Sequence, residues 1–186
     1  MTPSPSSTDW TAPFGDDLSD DLALALRLAD AADHVSMERF DAPDLEIRTK
    51  ADATHVTEAD LATERAIRDL LTAERPGDGI LGEEYGTSGD TRRQWIIDPI
   101  DGTANYLKGI PMWATLIALV IDGAPRVGVV SQPAISRRWW GATGSGAWTR
   151  TADGATRPIR TSDVTSLGDA SISFQSIGQW DAAGRT

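Results

Sequence analysis

The sequence predicts an α+β layered domain, two helices packed on a mostly antiparallel sheet. Between residues 18 and 75, apolar residues recur at steps of three or four. Past residue 79 they gather into short runs divided by glycine-containing turns. Composition bounds the class: of 186 residues, 40% are hydrophobic and 24% charged, enough for a core and unlike a disordered chain.

The first helix is predicted over Leu18 to Phe40, with Leu22, Leu26, Ala29, Ala32 and Val35 inward and Met37 and Phe40 beyond. Ser19 is the expected N-cap, and Asp20 and Asp21 suit the positive end of the helix dipole. Asp41-Ala-Pro43 ends it. Leu45 to Lys50 alternates as a short strand does. Thr57-Glu-Ala-Asp60 resembles a capping box and opens a second helix, with Ala62, Ala66, Ile67, Leu70 and Leu71 as its buried stripe. Arg75-Pro-Gly-Asp-Gly79 stops it. Strands are then expected at Trp95–Ile97, Trp113–Ile121, Arg126–Gln132, Arg137–Ala142 and Ala147–Thr149, and a fifth of the later strands at Ala170–Phe174. Asp122-Gly123 signals a hairpin.

The formal charge is −11, from 17 basic and 28 acidic residues, which argues against a general nucleic-acid binder. No cysteine occurs, which excludes disulfides, zinc-thiolate sites and a cysteine nucleophile. With only His34 and His55 available, a metal here is expected to be hard and oxygen-loving, such as Mg²⁺ or Mn²⁺. Residues 1–16, rich in Pro, Ser and Thr, read as a loose tail, neither signal nor transit peptide. No window suits a membrane span, so a cytoplasmic location is the default expectation.

Asp98 and Asp101 stand three apart where an apolar run ends, with Pro99 stiffening what reads as a loop just past the strand. Like charges held close need a cation or a shared proton. Gly102 permits close approach of a ligand, and a helix starting near Thr103 would aim free N–H groups at it. Cation site beside anion site is what phosphoryl chemistry requires. A surface Asx turn is the competing reading of a bare D-x-x-D-G-T. Competing readings also hold for Glu83-Glu84 as a solvated turn, Asp60 as ordinary capping and Lys50 as an edge lysine. His34 reads as structural, and His55 as a loop residue without an assigned role. Arg137-Arg138-Trp139-Trp140 reads as sheet packing with exposed arginines, or as a substrate lip.

In order, Lys50 with Val56-Thr-Glu-Ala-Asp60, Gly82-Glu-Glu84, Trp95-Ile-Ile-Asp-Pro-Ile-Asp-Gly-Thr103 with Asn105, and Val127-Gly-Val-Val130 with Pro133 resemble the inositol-monophosphatase-like family of metal-dependent phosphatases. The resemblance implies the N-terminal part of the layered α/β/α/β/α sugar-phosphatase fold. It implies Mg²⁺ as cofactor and a small phosphomonoester as substrate, and it is compatible with a homodimer. By it, Glu83, Asp98 and the Ile100 carbonyl would hold the first Mg²⁺, and Asp98, Asp101 and Asp60 further ions. Gly102 and Thr103 would contact phosphate, with Glu83, Ile100, Asp101 and Lys50 lining the same pocket. Glu83 and Thr103, with Asp60, would orient and deprotonate the water for direct in-line attack.

Within the family, Lys108-Gly-Ile-Pro-Met-Trp113-Ala, Leu116-Ile-Ala-Leu119, Val130-Ser-Gln-Pro133 and Arg137-Arg-Trp-Trp140 most resemble the histidinol-phosphate phosphatase branch, an activity of histidine biosynthesis. The same chemistry on inositol phosphate, and an inactive metal- or phosphate-binding remnant, stand as alternatives. Relatives close their site with an aspartate in a Trp-Asp-x-Ala-Ala helix from a second half. Trp180-Asp181-Ala-Ala183 follows Ser171–Phe174 too soon to be that helix, so Asp181 is expected to be a loop residue facing solvent. The expected organisation is a tail (1–16), an N-terminal metal and phosphate domain (17–168) and the start of an incomplete second half (169–186). Such a chain is expected to expose apolar surface and to be poorly soluble or weakly active.

Overall fold

The computed structural model describes residues 18–49, 55–171 and 173. The expected tail, Lys50, and the segment carrying Trp180 and Asp181 lie outside the described residues.

Helix α1 (Ser19–Arg39) forms where predicted. Its N-cap is Leu18, which makes no side-chain cap bond, and not Ser19. The first turn is held instead through Asp21, which is buried and takes Arg93 Nη2 at 2.5 Å. The buried face is wider than the predicted stripe and includes Leu24 and Leu28, because α1 lies against its neighbour helix and the sheet together. Past Ala32 the helix rises from the core: Val35 is half-buried and Met37 exposed. Helix α2 (Glu58–Glu74) starts at a complete Thr57/Asp60 capping box. Its buried face is rotated from the predicted one. Ile67 and Leu71 are inside, but Asp60, Thr63 and Glu64 take the positions expected of Ala62 and Ala66. The apolar stripe counted on the sequence misses this face because half of it is polar.

A hairpin of β1 (Ile47–Thr49) and β2 (His55–Thr57) precedes α2, so His55 lies on a strand rather than in a loop. The main sheet contains β3 (Gly79–Gly82), β4 (Gly86–Ser88), β5 (Arg93–Asp101), β6 (Ala114–Ile121), β7 (Ala124–Gln132), β8 (Arg137–Ala142), β9 (Gly146–Arg150) and β10 (Thr156–Ile159). Its order is β10-β9-β8-β7-β6-β5-β3-β4, antiparallel throughout except for the parallel β3–β5 pair. Asp122 (φ 50°) and Gly123 (φ 78°) both adopt the left-handed conformation that the predicted β6–β7 turn demands. The short edge strands β4 and β10 carry too few apolar residues to announce themselves. The strand expected at Ala170–Phe174 is not formed by its described members; a short 3₁₀ turn, Leu167–Asp169, lies just before it.

Both helices cover one face of the sheet. Trp95, Ile97, Ile117, Leu119, Val127, Val129 and Trp140 meet them in one core. Arg138 also points to this side: contrary to the reading of exposed arginines, it is buried and donates to Asp30 at 2.7 Å and Asp33 at 2.6 Å. The opposite face presents Ile96, Leu116, Val130, Trp139 and Ile159 around an apolar groove of about 570 Å³. Among the described residues, no helix is long and apolar enough to cross a membrane.

Candidate active site

The motif segment is not a loop beyond a strand. β5 runs through Asp98 to Asp101 and stays paired with β6, Asp98 opposite Leu116 and Asp101 opposite Ala114, with a bulge between. A bulge re-aims side chains while the ladder persists. Thr115 Oγ1 donates to the Pro99 carbonyl at 2.8 Å and pins the bulge. Gly102 then turns left-handed (φ 97°), and a Cβ there would lie 3.1 Å from the Met112 carbonyl, so a side chain would be strained both by the backbone angle and by the close approach. Helix α3 (Thr103–Tyr106) starts at once, as expected. It rests on a small core of Ala59, Ile100, Tyr106 and Trp113, with Phe40 beside them. Asn105 Nδ2 donates to the Met112 carbonyl at 2.7 Å and closes the following loop.

Asp60 is fully buried and capping accounts for only part of it. Its Oδ2 accepts from the Thr57 N–H at 2.8 Å and hydroxyl at 2.5 Å. Its Oδ1 faces Thr103 Oγ1 at 3.3 Å, and that hydroxyl also lies 3.2 Å from the Ile100 carbonyl. Burial pushes the Asp60 carboxyl above the usual range, against the pull of the Thr57 and Thr103 hydrogen bonds. Glu83 follows the end of β3, and its N–H donates to the Ile97 carbonyl at 3.1 Å, one residue before Asp98.

Asp98 is where these groups meet. Its carboxyl is pushed up to about 8, first by burial, then by the charge of Glu83 and a hydrogen bond with it, then by the charges of Asp101 and Asp60. Its Oδ1 is buried and has no hydrogen-bond partner among the described residues. An orphaned carboxylate oxygen amid mutually repelling acids, with oxygen donors only, fits a hard divalent cation. Among the described residues, no three acidic or histidine side chains stand close enough together to hold a metal ion. Asp98 nonetheless feels the charges of Glu83, Asp101 and Asp60, and Ile100, Gly102 and Thr103 follow on the same turn. His34 is not among them: it is exposed on α1, 3.3 Å from Glu38, while the His55 side chain lies outside the description.

One residue that sequence reasoning missed is Glu64. It sits one turn past Asp60 on the same buried face and accepts the N–H of Glu84 at 2.7 Å and of Tyr85 at 3.2 Å. An acid at helical spacing from Asp60 was the available signal.

Fold and site together define an α+β domain with a cluster of acids at a bulged strand end. The chain belongs to the inositol monophosphatase family, whose model matches residues 17–182. It is 56% identical over 168 residues to a histidinol-phosphatase of Mycobacterium tuberculosis, covering 89% of this chain and 64% of that protein. To a histidinol-phosphatase of Streptomyces coelicolor it is 49% identical over 173 residues, covering 91% and 65%. The chain thus spans just under two-thirds of the length of these curated relatives. Among solved structures, extragenic suppressor protein suhB of Bartonella henselae superposes with a TM-score of 0.71 at 31% identity, over 78% of this chain and 55% of that one. An IMPase of Thermotoga maritima gives 0.70 at 32% identity, over 77% and 54%.

Proposed function

We propose that this chain carries most of the active site of a Mg²⁺-dependent phosphomonoesterase that hydrolyses histidinol phosphate to histidinol and phosphate. The observation that carries the reading is Asp98: a half-buried carboxyl whose Oδ1 has no hydrogen-bond partner among the described residues, with the charges of Glu83, Asp101 and Asp60 around it. Glu83, Asp98 and the Ile100 carbonyl would hold one Mg²⁺, and Asp98, Asp101 and Asp60 would share in holding others. The chemistry Mg²⁺ would supply there is a lowered pKa for a water and charge neutralisation at the phosphoryl oxygens. Asp60 accepts a hydrogen bond from the Thr103 hydroxyl, which keeps its proton, and so leaves the hydroxyl oxygen to accept from the attacking water. Glu83 takes up the proton which that water loses. The N–H groups of Gly102 and Thr103 bind the phosphate. This chain has no cysteine to act as nucleophile, in keeping with direct attack by water.

The two most similar relatives described above are named histidinol-phosphatases, which favours that substrate over inositol phosphate. The test is phosphate release by the whole protein from histidinol phosphate and from inositol 1-phosphate, with Mg²⁺ and with a chelator. Faster Mg²⁺-dependent release from histidinol phosphate is expected. Faster release from inositol phosphate overturns the substrate; release that ignores Mg²⁺ overturns the chemistry.

A further inference from the structure

We infer that Glu64 is a positioning residue: it fixes the Glu83 backbone from helix α2 and thereby sets the affinity of the site for its cation. This rests on the reading of Glu83 as a cation ligand.

Glu64 is a fully buried acid. Arg68 Nε donates to its Oε1 at 2.7 Å, one turn along the same helix. The carboxylate then takes the N–H groups of Glu84 at 2.7 Å and Tyr85 at 3.2 Å. Arg68 also reaches the Gly86 carbonyl and lies 3.3 Å from Ser88 Oγ. Two side chains of α2 thus grip the chain just after Glu83. On its other flank the Glu83 N–H is held by the Ile97 carbonyl at 3.1 Å. The Glu83 backbone is clamped between α2 and the strand that carries Asp98.

Gly82 completes the fit. A Cβ there would lie 1.8 Å from Glu64 Oε1, so the carboxylate fills the space a side chain would need. A buried ion pair adds little net stability over an apolar pair of the same volume. What this pair supplies is a geometry, since apolar residues cannot accept the two loop N–H groups. Asp60 and Glu64 lie a turn apart on one face, so α2 sets one site acid directly and another through the loop.

The test compares Glu64→Gln, Glu83→Gln and Leu71→Ala, a packing variant on the same buried face but away from the loop. Gln keeps the volume of Glu64, but its amide nitrogen cannot accept a loop N–H. Mg²⁺ affinity is measured by titration calorimetry, and amide hydrogen exchange is followed at Glu84 and Tyr85. Glu64→Gln is expected to weaken Mg²⁺ binding about tenfold or more and to speed both amides. Leu71→Ala is expected to lower Tm with Mg²⁺ affinity unchanged. If Glu64→Gln binds Mg²⁺ as the wild type does while Glu83→Gln does not, the inference falls and the reading of Glu83 stands. If Glu83→Gln is also silent, or the wild type binds no Mg²⁺, both fall. Should Glu64→Gln not fold, Arg68→Lys keeps the charge but loses the planar fork. It is expected to weaken binding in the same direction by a smaller factor, and wild-type affinity in that variant overturns the inference.

Discussion

Thr103 Oγ1 lies 3.3 Å from Asp60 Oδ1, while Oδ2 of the same carboxylate takes the N–H and hydroxyl of Thr57. One aspartate therefore caps α2 and directs the hydroxyl at the start of α3. Thr103→Val removes the hydroxyl and keeps the shape. It is expected to lower kcat by about 100-fold with KM little changed, the usual scale for one positioned proton-transfer partner. Thr103→Ser is expected to retain most activity. Steady-state kinetics on the phosphomonoester decide the matter: a raised KM with kcat intact would mean that Thr103 binds substrate and does not orient water.

Asp98→Asn is expected to act in opposite directions on stability and on turnover. The native carboxyl is held up by burial and by the charges around it, so above about pH 4 the neutral amide removes the cost of keeping that acid protonated in the metal-free folded protein. A gain of roughly 2–4 °C in Tm per kcal/mol relieved is the scale for a chain of this size. Mg²⁺-dependent phosphate release is expected to vanish. Thermal melts in a chelator, alongside assays in Mg²⁺, check both halves; a lower metal-free Tm contradicts the repulsion.

The same shift predicts a pH dependence. The Asp98 carboxyl is near 4 in an unfolded chain and about 8 when folded, so between those values the folded state binds more protons. Stability of the metal-free protein from this group is then full below about pH 4 and is lost as pH rises through about 8. Asp60 and Asp33, both raised chiefly by burial, push in the same direction. Saturating Mg²⁺ favours the ionised forms and is expected to flatten or reverse the trend. Melts across pH 4.5–8.5, with and without Mg²⁺, test this; a metal-free Tm that climbs with pH over that range contradicts it.

What the sequence disclosed, and what it did not, divides along physical lines. Strong periodicity exposed α1, α2 and the β6–β7 hairpin, and the dense motif from Trp95 to Asn105 pointed to the candidate site around Asp98. Hidden were features whose signal is non-local. Strands β4 and β10 are edge pieces that exist because a neighbour pairs with them. Arg138 looked exposed because its partners Asp30 and Asp33 lie more than a hundred residues away. Glu64 carried no reading from sequence because the loop N–H groups that fill its carboxylate come from another element. Asp98 looked like a loop residue because Pro99 follows it, whereas a bulge carries the proline without breaking the strand.

Arg138 supports a last prediction, on stability. It is buried, donates to Asp30 and Asp33 on α1, and lies 3.1 Å from Ser131 Oγ, which itself donates to Asp33 Oδ2 at 2.8 Å. Burial raises the Asp33 carboxyl, while Arg138 and Ser131 pull it back, so the arginine is what keeps that acid tolerable inside. Removing one partner of such a pair leaves an uncompensated buried charge, at a cost of about 3–5 kcal/mol. Arg138→Ala is expected to lose that much in urea unfolding, whereas the exposed Arg157→Ala stays within about 0.5 kcal/mol of wild type. The double variant Arg138→Met/Asp33→Leu removes both charges and is expected to recover most of the loss. If the double variant is as unstable as Arg138→Ala, the loss comes from packing along the arginine stem and not from the stranded acid.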